Sequence, residues 1–545
     1  MRILGINAVF HDPAAALVVD GEVVAAAEEE RFSRRKHGKA PVPFAAWEQP
    51  EHAAAWCLAE AGIRPSDVDA VGCSYDPALV DHERGGLDPS WEHLRTEFAA
   101  RAPNLLRSAL PGLDPDRVRF VPHHVAHAAS AGLAAPFGDC AVLTADGRGE
   151  ATCGLLGAYR SGRLEVLAEQ PLPDSLGLLY ESLTEHLGFR RSTDEYKVMA
   201  LASYAEPEFL PHLAELVRVD GPRVEIDEVD WAKWAPRRAP GGELRAEHAQ
   251  LAASAQARLE EVLLAQARWL HERTGMPELA LAGGVALNCV ANTRLAAEGP
   301  FDEVWVQPAA GDSGTALGAA LHLAAEEGER PRPMPAADLG RGFGEDELEA
   351  VLRTADLPYE RPDDVAATAA EALARNEIVG WFQGRAEFGP RALGHRSLLA
   401  HPGHADNVER LNDVKGREQF RPVAPVVPAD RAAEVFSRGP IPSPYMLFVH
   451  DVQPEWRDRI PAVVHVDGTA RIQTVDRGDE PLLARLLAEF ERRTGLPAAV
   501  NTSFNTAGRP IVDSPVDALE CFGASPIDLL VLGPFVVRRN GGERR

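Results

Sequence analysis

The stretch at residues 141–170, AVLTADGRGEATCGLLGAYRSGRLEVLAEQ, repeats the plan of the chain's opening, and that repetition decides the fold of the first part. An apolar strand ends at Asp146, a glycine-rich turn follows, and Ser161-Gly162 joins two further strands. In the opening, ILGINA (residues 3–8) reads as a strand and Asp12 sits in the turn after it. Asp20-Gly21 then joins the apolar runs of AAALVVDGEVVAAAEE (residues 14–29) as a hairpin. Helical segments fill the space between the copies. A duplicated strand, acidic turn and hairpin predicts two like lobes around a cleft, each offering it a carboxylate.

At 545 residues the chain exceeds what one core supports, so two domains are expected. EEGERPRPMPAADLG (residues 326–340) breaks every periodic pattern with prolines and charges. It lies between an Ala-rich helical run at 315–325 and a new one at 345–353, which places the division at residues 1–332 and 333–545. The second part mixes strands such as EIVGWFQ, LPAAVNTS and LLVLGPFVVR with helices near 365–375 and 482–493. The expected class is α/β, in two domains.

Hydrophobic residues make up 45% and charged residues 25%, the balance of an ordinary globular protein. A formal net charge of −26 argues against nucleic acid or an anionic membrane as partner. The six cysteines are scattered with no CxxC pair, which argues against structural zinc or a disulfide framework and for a reducing cytoplasm. The apolar opening is interrupted by His11 and Asp12, so it reads as no signal peptide, and no segment is long enough to span a bilayer. Oligomeric state is open, a homodimer included.

VPHHVAHAASAGL places His123 and His127 four apart on a helix, so both imidazoles leave one face, while His124 points elsewhere. With carboxylates from Asp146 and from Asp312, in AAGDSGTALG, they form an expected metal site for an imidazole-favouring cation. LALAGGVALNCVANTRL is a strand, a diglycine turn at Gly283 and Gly284, and a helix. Such a turn aims backbone amides at a ligand, the physics of nucleotide phosphate binding, although it matches neither GxxxxGK[ST] nor GxGxxG.

In the second part GRAEFGPRALGHRS (residues 384–397) packs Arg385, Arg391, His395 and Arg396 among three glycines, which reads as an anion cradle. Lys415, Arg417 and Arg421 follow in VKGREQFRP, Arg471 in HVDGTARIQ, and Asn501, Ser503 and Asn505 in NTSFN. Together they would neutralise a polyphosphate and orient a planar group. No Ser-His-Asp or Cys-His nucleophile pattern stands out, so catalysis is expected to work by positioning and charge stabilisation.

These segments, together with FHDPAAAL, AAEEERFSRRKHG, TADGRGE and YKVMALA, occur in an order that resembles the O-carbamoyltransferases of the NodU and CmcH type, which include enzymes that carbamoylate antibiotics. The resemblance runs over nearly the whole length. It implies a Kae1-like domain of the duplicated actin and heat-shock ATPase type, followed by a YrdC-like domain. The second would form carbamoyl adenylate from carbamoyl phosphate and ATP, with Mg2+ accompanying the nucleotide. The first would transfer the carbamoyl group to a small-molecule hydroxyl and release AMP. By matching motifs, His123, His127, Asp146 and Asp312 correspond to ligands of an iron ion, Fe2+. Arg391, Lys415, Arg421, Arg471, Asn501 and Ser503 fall in the carbamoyl phosphate and ATP site, with Lys415-x-Arg417 and Ser503-x-Asn505 as signature pairs. Lys197, Gly283, Gly284 and Asn288 join the cofactor-binding set through YKVMALA and AGGVALN.

His11 is the expected general base toward the acceptor hydroxyl, with Asp12 orienting it or contacting the acceptor. Residues 81–106 and 176–192 are expected to line the acceptor pocket. Two alternatives stand beside this reading: tRNA threonylcarbamoylation, which the −26 charge disfavours, and a nucleotide-dependent regulator without enzymatic activity.

Overall fold

The computed structural model describes residues 1–38, 48–80 and 89–539, with no side-chain description for residues 89–91. The chain divides into two compact units, Met1–Ala336 and Ala337–Arg545. This division falls four residues beyond the expected one because backbone bonds hold the linker to the first unit: Arg332 N–H donates to Gly21 O (2.8 Å) and Met334 N–H to Ala134 O (2.9 Å). Beyond it, Gly340 N–H donates to Ala386 O at 2.8 Å, inside the second unit. Of the expected acceptor segment 81–106, residues 81–88 lie outside the described residues.

The first unit repeats one topology. In its first sheet, β1 (Arg2–Asn7) pairs antiparallel with β2 (Ala14–Val19), and β2 pairs antiparallel with β3 (Glu22–Glu28). On the other side of β1 lie β4 (Ala70–Cys73) and β5 (Val118–Phe120), both parallel. Helix α1 (His123–Gly132) leads to the second sheet. There β6 (Cys140–Ala145) pairs antiparallel with β7 (Thr152–Arg160), and β7 with β8 (Arg163–Pro171). Parallel strands β9 (Glu278–Ala282) and β10 (Glu303–Val306) complete it. The orders β3-β2-β1-β4-β5 and β8-β7-β6-β9-β10 are the same plan used twice. Both hairpins turn through paired left-handed residues, Asp20-Gly21 and Ser161-Gly162, as two-residue loops between right-twisted strands require.

Close backbone approach locks this unit. Helix α2 (Ser313–Glu326) lies against β1, where a Cβ on Gly5 would come within 1.8 Å of the Ala316 carbonyl oxygen. It also crosses α1, where a Cβ on Gly318 would meet the Ala126 carbonyl oxygen at 1.8 Å. Leu4, Ile6, Leu17, Leu58 and Leu106 form a core in the first lobe.

The second unit is built on a seven-stranded mixed sheet whose central strands include Val379–Phe382, Arg396–Ala400 and Ala499–Ser503. Trp381, Phe382, Leu398, Val500, Phe504 and Leu530 fill its core. Among the described residues no helix is long and apolar enough to cross a membrane.

Gly318→Ala should destabilise the first unit by about 1–3 kcal/mol or more, since an added methyl in a fully packed crossing forces backbone apart. The expected readout is a lower midpoint for the first thermal transition. Gly138→Ala, where nothing lies within 4 Å of the new methyl, should leave that midpoint unchanged.

Candidate active site

The ends of four elements of the first unit converge on one buried cluster. His123 and His127 leave the same face of α1, Asp146 follows the last residue of β6, and Asp312 precedes the first residue of α2. His123 Nε2 lies 3.3 Å from Asp146 Oδ2 and 3.6 Å from Asp312 Oδ1, and His127 Nε2 lies 3.6 Å from each. All four side chains are buried. Four ligands at ~2.1 Å around a tetrahedral centre would stand about 3.4 Å apart, so the donor set fits a single divalent ion. Among the described residues neither ring nitrogen of His127 has a hydrogen-bond partner, which fits a metal ligand. Two carboxylates and two neutral imidazoles carry the charge such an ion would cancel.

Neighbouring groups fix each donor. His123 Nδ1 lies 3.1 Å from Ser74 O and donates to it, which leaves Nε2 as the donor atom toward the cluster. Burial alone would lower the His123 pKa, but hydrogen bonds to Asp146 and Asp312 raise it well above the ordinary value. Burial alone would raise Asp146, yet His123 and His127 hold its carboxyl well below the usual carboxylate range. Glu150 accepts from the amides of His123 (2.9 Å) and Asp76 (2.7 Å), closing the start of α1 with a negative charge. Sequence reasoning passed over Glu150, whose glycine-rich turn does not reveal which helix it caps.

The diglycine turn serves this cluster. Gly284 N–H donates to Asp146 Oδ1 at 2.9 Å and Gly283 N–H to Ala310 O at 2.8 Å, so both amides expected for phosphate are already engaged. Gly283 has φ 94°, and a Cβ there would strike the Ala145 carbonyl oxygen at 2.2 Å. Asn288 caps the helix Cys289–Glu298 by accepting from Ala291 N–H, and its amide pairs with Gln256 at 2.8 Å. Lys197 sits 3.2 Å from Asp194.

The ring of Phe10, next to His11 in the chain, packs 5.4 Å from that of His123. Asp12 accepts from two imidazoles: His11 Nδ1 at 2.7 Å on one oxygen and His37 Nδ1 at 2.8 Å on the other. Phe10 (φ 68°), Asp12 (φ 44°) and His37 (φ 61°) all adopt the left-handed region that non-glycine residues avoid. The Asn7 amide holds the turn by donating to the carbonyls of His11 (2.8 Å) and Asp12 (3.0 Å).

In the second unit the loops named from sequence do meet. Lys415 is buried, and its ammonium donates to Ser503 Oγ (2.8 Å), Ser503 O (2.5 Å) and Asn505 Oδ1. Asn501 donates to Gln473 Oε1 (2.7 Å) and Ala392 O (3.2 Å), bringing the Arg471 segment to the glycine-rich loop. Asn501 Oδ1 and Arg471 Nε are buried with no partner among the described residues. Arg417 donates to Asn412 Oδ1 at 2.5 Å, and Arg421 lies 3.7 Å from Glu418.

The expected four-cation cradle is corrected. Arg396 is fully buried and donates to the carbonyls of Gln383 (2.7 Å) and Arg341 (2.8 Å), while Arg385 donates to those of Leu339 (2.7 Å) and Gly340 (2.9 Å). Three of these four oxygens belong to residues 339–341, so the two guanidinium groups tie that segment to the glycine-rich loop. His395 donates to Glu480 at 2.8 Å. Arg391 is half-buried in the same loop.

Comparison with known proteins agrees with this two-part arrangement. Residues 2–83 and 91–321 match the family model "Carbamoyltransferase N-terminus", and residues 370–539 match "Carbamoyltransferase C-terminus". The chain is 38% identical to an uncharacterized protein of Synechocystis, over 100% of this chain and 98% of that protein. It is 39% identical to Nodulation protein NolNO of Sinorhizobium fredii, over 98% of this chain and 80% of the relative. To Nodulation protein U of Rhizobium tropici it is 32% identical, over 93% and 92%. Among solved structures, HypF of T. kodakarensis gives a TM-score of 0.38 at 16% identity, over 60% of this chain and 48% of that one, a likeness too loose to carry an argument. On the two family models and the full-length relatives, the chain belongs to the carbamoyltransferase family and is a carbamoyltransferase enzyme.

Proposed function

We propose that the chain is an ATP-dependent O-carbamoyltransferase that forms carbamoyl adenylate from carbamoyl phosphate and ATP and carbamoylates a hydroxyl of a small molecule, an antibiotic or another secondary metabolite. On this reading the first unit is a Kae1-like transfer domain of actin and heat-shock ATPase type, and the second a YrdC-like domain that makes the adenylate. The observation that carries it is the buried cluster in which His123 and His127 each lie 3.3–3.6 Å from Asp146 and from Asp312. The six cysteines are buried thiols with no disulfide among the described residues, which fits a cytoplasmic enzyme.

In the second unit Lys415, Arg391, Arg421 and Arg471 neutralise phosphate oxygens, with Mg2+ accompanying ATP. Ser503 and Asn505 hold the Lys415 ammonium in place, and Asn501 Oδ1 supplies an unpaired acceptor. In the first unit His123, His127, Asp146 and Asp312 would hold a divalent ion, Fe2+ on this reading, which would supply positive charge to the adenylate. His11 Nε2 takes the proton of the acceptor hydroxyl as its oxygen bonds to the carbamoyl carbon. The bond from that carbon to the phosphate oxygen breaks, AMP leaves, and Asp12 stabilises the imidazolium formed.

Three outcomes are expected. His123→Ala with His127→Ala should strip metal from the purified protein, read by elemental analysis. It should also abolish transfer of labelled carbamoyl groups to a panel of hydroxylated natural products, while carbamoyl phosphate-dependent pyrophosphate release continues. Retained metal and transfer in that double variant would remove the assignment. Lys415→Ala should lower carbamoyl phosphate-dependent pyrophosphate release by at least about a hundredfold and leave the metal content unchanged. His11→Ala should slow transfer by about a hundred to ten thousandfold with pyrophosphate release intact. Transfer at the wild-type rate would point instead to attack without a protein base.

A further inference from the structure

The contact between Asp12 and His37 has no role in the mechanism above. His37 follows the basic run Arg34, Arg35 and Lys36, and its ring centroid lies 4.3 Å from that of His11. Both rings address the same carboxylate through Nδ1, one on each oxygen. An imidazole that donates Nδ1–H to a carboxylate is held in one tautomer, with its Nε2 lone pair presented away from that carboxylate. Among the described residues His37 Nε2 is buried with no partner. The His37 ring is itself anchored, since its backbone amide donates to Glu30 Oε2 at 2.7 Å and Glu30 pairs with Lys36 at 3.2 Å.

A carboxylate facing one imidazole strengthens that ring's hold on a second proton. A neutral donor on the other oxygen spreads the charge and weakens that hold. Two imidazolium rings this close would also repel, so at most one of them gains a second proton. Burial lowers the His37 pKa, with His11 adding to the effect and Asp12 opposing it, so His37 is the ring that stays neutral. Burial would raise Asp12, but His11 and His37 hold it well below the usual range, which keeps the shared carboxylate ionised.

We propose that His37 is a positioning residue for His11: through the second oxygen of Asp12 it fixes the carboxylate and limits the negative charge that His11 meets. The proposal rests on the reading of His11 as general base. The other charged groups around the pair are Glu30, Arg31 and Lys36 on the segment before His37, and Glu195 on the helix Glu195–Ala202. Burial pushes the Glu195 carboxyl up to about 7, with the neighbouring Glu181 adding to the rise and His11 opposing it, so Glu195 titrates in the same window and must be separated from the histidines.

The test is a histidine NMR titration of the full-length protein, carbon-13 labelled at histidine and loaded with diamagnetic Zn2+, between pH 5 and 9. His11→Gln assigns the His11 signal, and Glu195→Gln removes the overlapping carboxyl. His37→Phe keeps the ring volume and loses the donor, and is expected to raise the His11 proton affinity roughly tenfold, a shift of about one pH unit. His37→Asn places an amide donor near the Nδ1 position and should return the His11 midpoint toward wild type. An unmoved His11 midpoint in folded His37→Phe, or equal midpoints in the Phe and Asn variants, overturns the proposal. A second readout uses water as acceptor, with AMP release from carbamoyl phosphate and ATP followed over the same pH range. The acidic limb should move upward in His37→Phe with the NMR midpoint. If the midpoint moves while AMP release is indifferent to His11→Gln, His37 still positions His11 and the general-base reading is the part that fails.

Discussion

Asp146, after the end of β6, and Asp312, just before α2, point their carboxylates at the same two imidazoles. Two buried negative charges repel strongly in a medium of low dielectric, and only positive charge between them makes the arrangement stable. The rest of the unit arranges for that meeting. Asp146 is held by the Gly284 amide, and the α1 amide ahead of the histidines is closed by Glu150. Gly318 lets α2 approach α1 until backbone nearly touches backbone, which sets the distance from Asp312 to His123 and His127. A bulkier crossing would move these groups apart, and ligation falls off steeply with distance.

The two units divide electrostatic labour. In the first, buried carboxylates prepare a site for a cation. In the second, the proposed anion site draws on a buried lysine and half-buried arginines within a chain whose net charge is −26. Local potential and overall charge thus have opposite sign there. On the proposed function, the surplus of acidic side chains would keep polyanions from the surface at large, and the cationic loops would draw a polyphosphate. This contrast favours a small anionic co-substrate over a nucleic acid.

Much of this was legible in the sequence, and what was missed shares one cause. The duplicated hairpins, the HxxxH helix and the two Asp-bearing turns could be read because each is local: turn chemistry and helical spacing act within a few residues. The meeting of Lys415 with Ser503 and Asn505 could be anticipated only as separate loops of matching chemistry. Glu150, Asn7 and His37 were missed because their partners are set by topology. His37 reaches Asp12 across 25 positions of chain, and nothing in the run Arg34-Arg35-Lys36-His37 separates it from a solvated basic stretch. The cradle failed for a related reason. Guanidinium groups grip carbonyl oxygens as readily as phosphates, and sequence does not say which oxygens a loop leaves unpaired.

The turn around His11 shows why the local rules give way where they do. Phe10, Asp12 and His37 each occupy left-handed backbone that glycine would adopt without penalty, at about 1–3 kcal/mol apiece for other residues. Glycine would relieve the backbone and delete the ring that packs on His123, the carboxylate that joins two imidazoles, or one of those imidazoles. The strain is opposed by specific contacts, with the Asn7 amide on two carbonyls and the Phe10 ring against Tyr75 at 5.4 Å. A turn with no task would have no reason to keep three such residues together. The concentration of unfavourable backbone within one hydrogen-bonded group marks this part of the first unit, as much as the cluster of His123, His127, Asp146 and Asp312, as the place where side-chain identity matters more than stability.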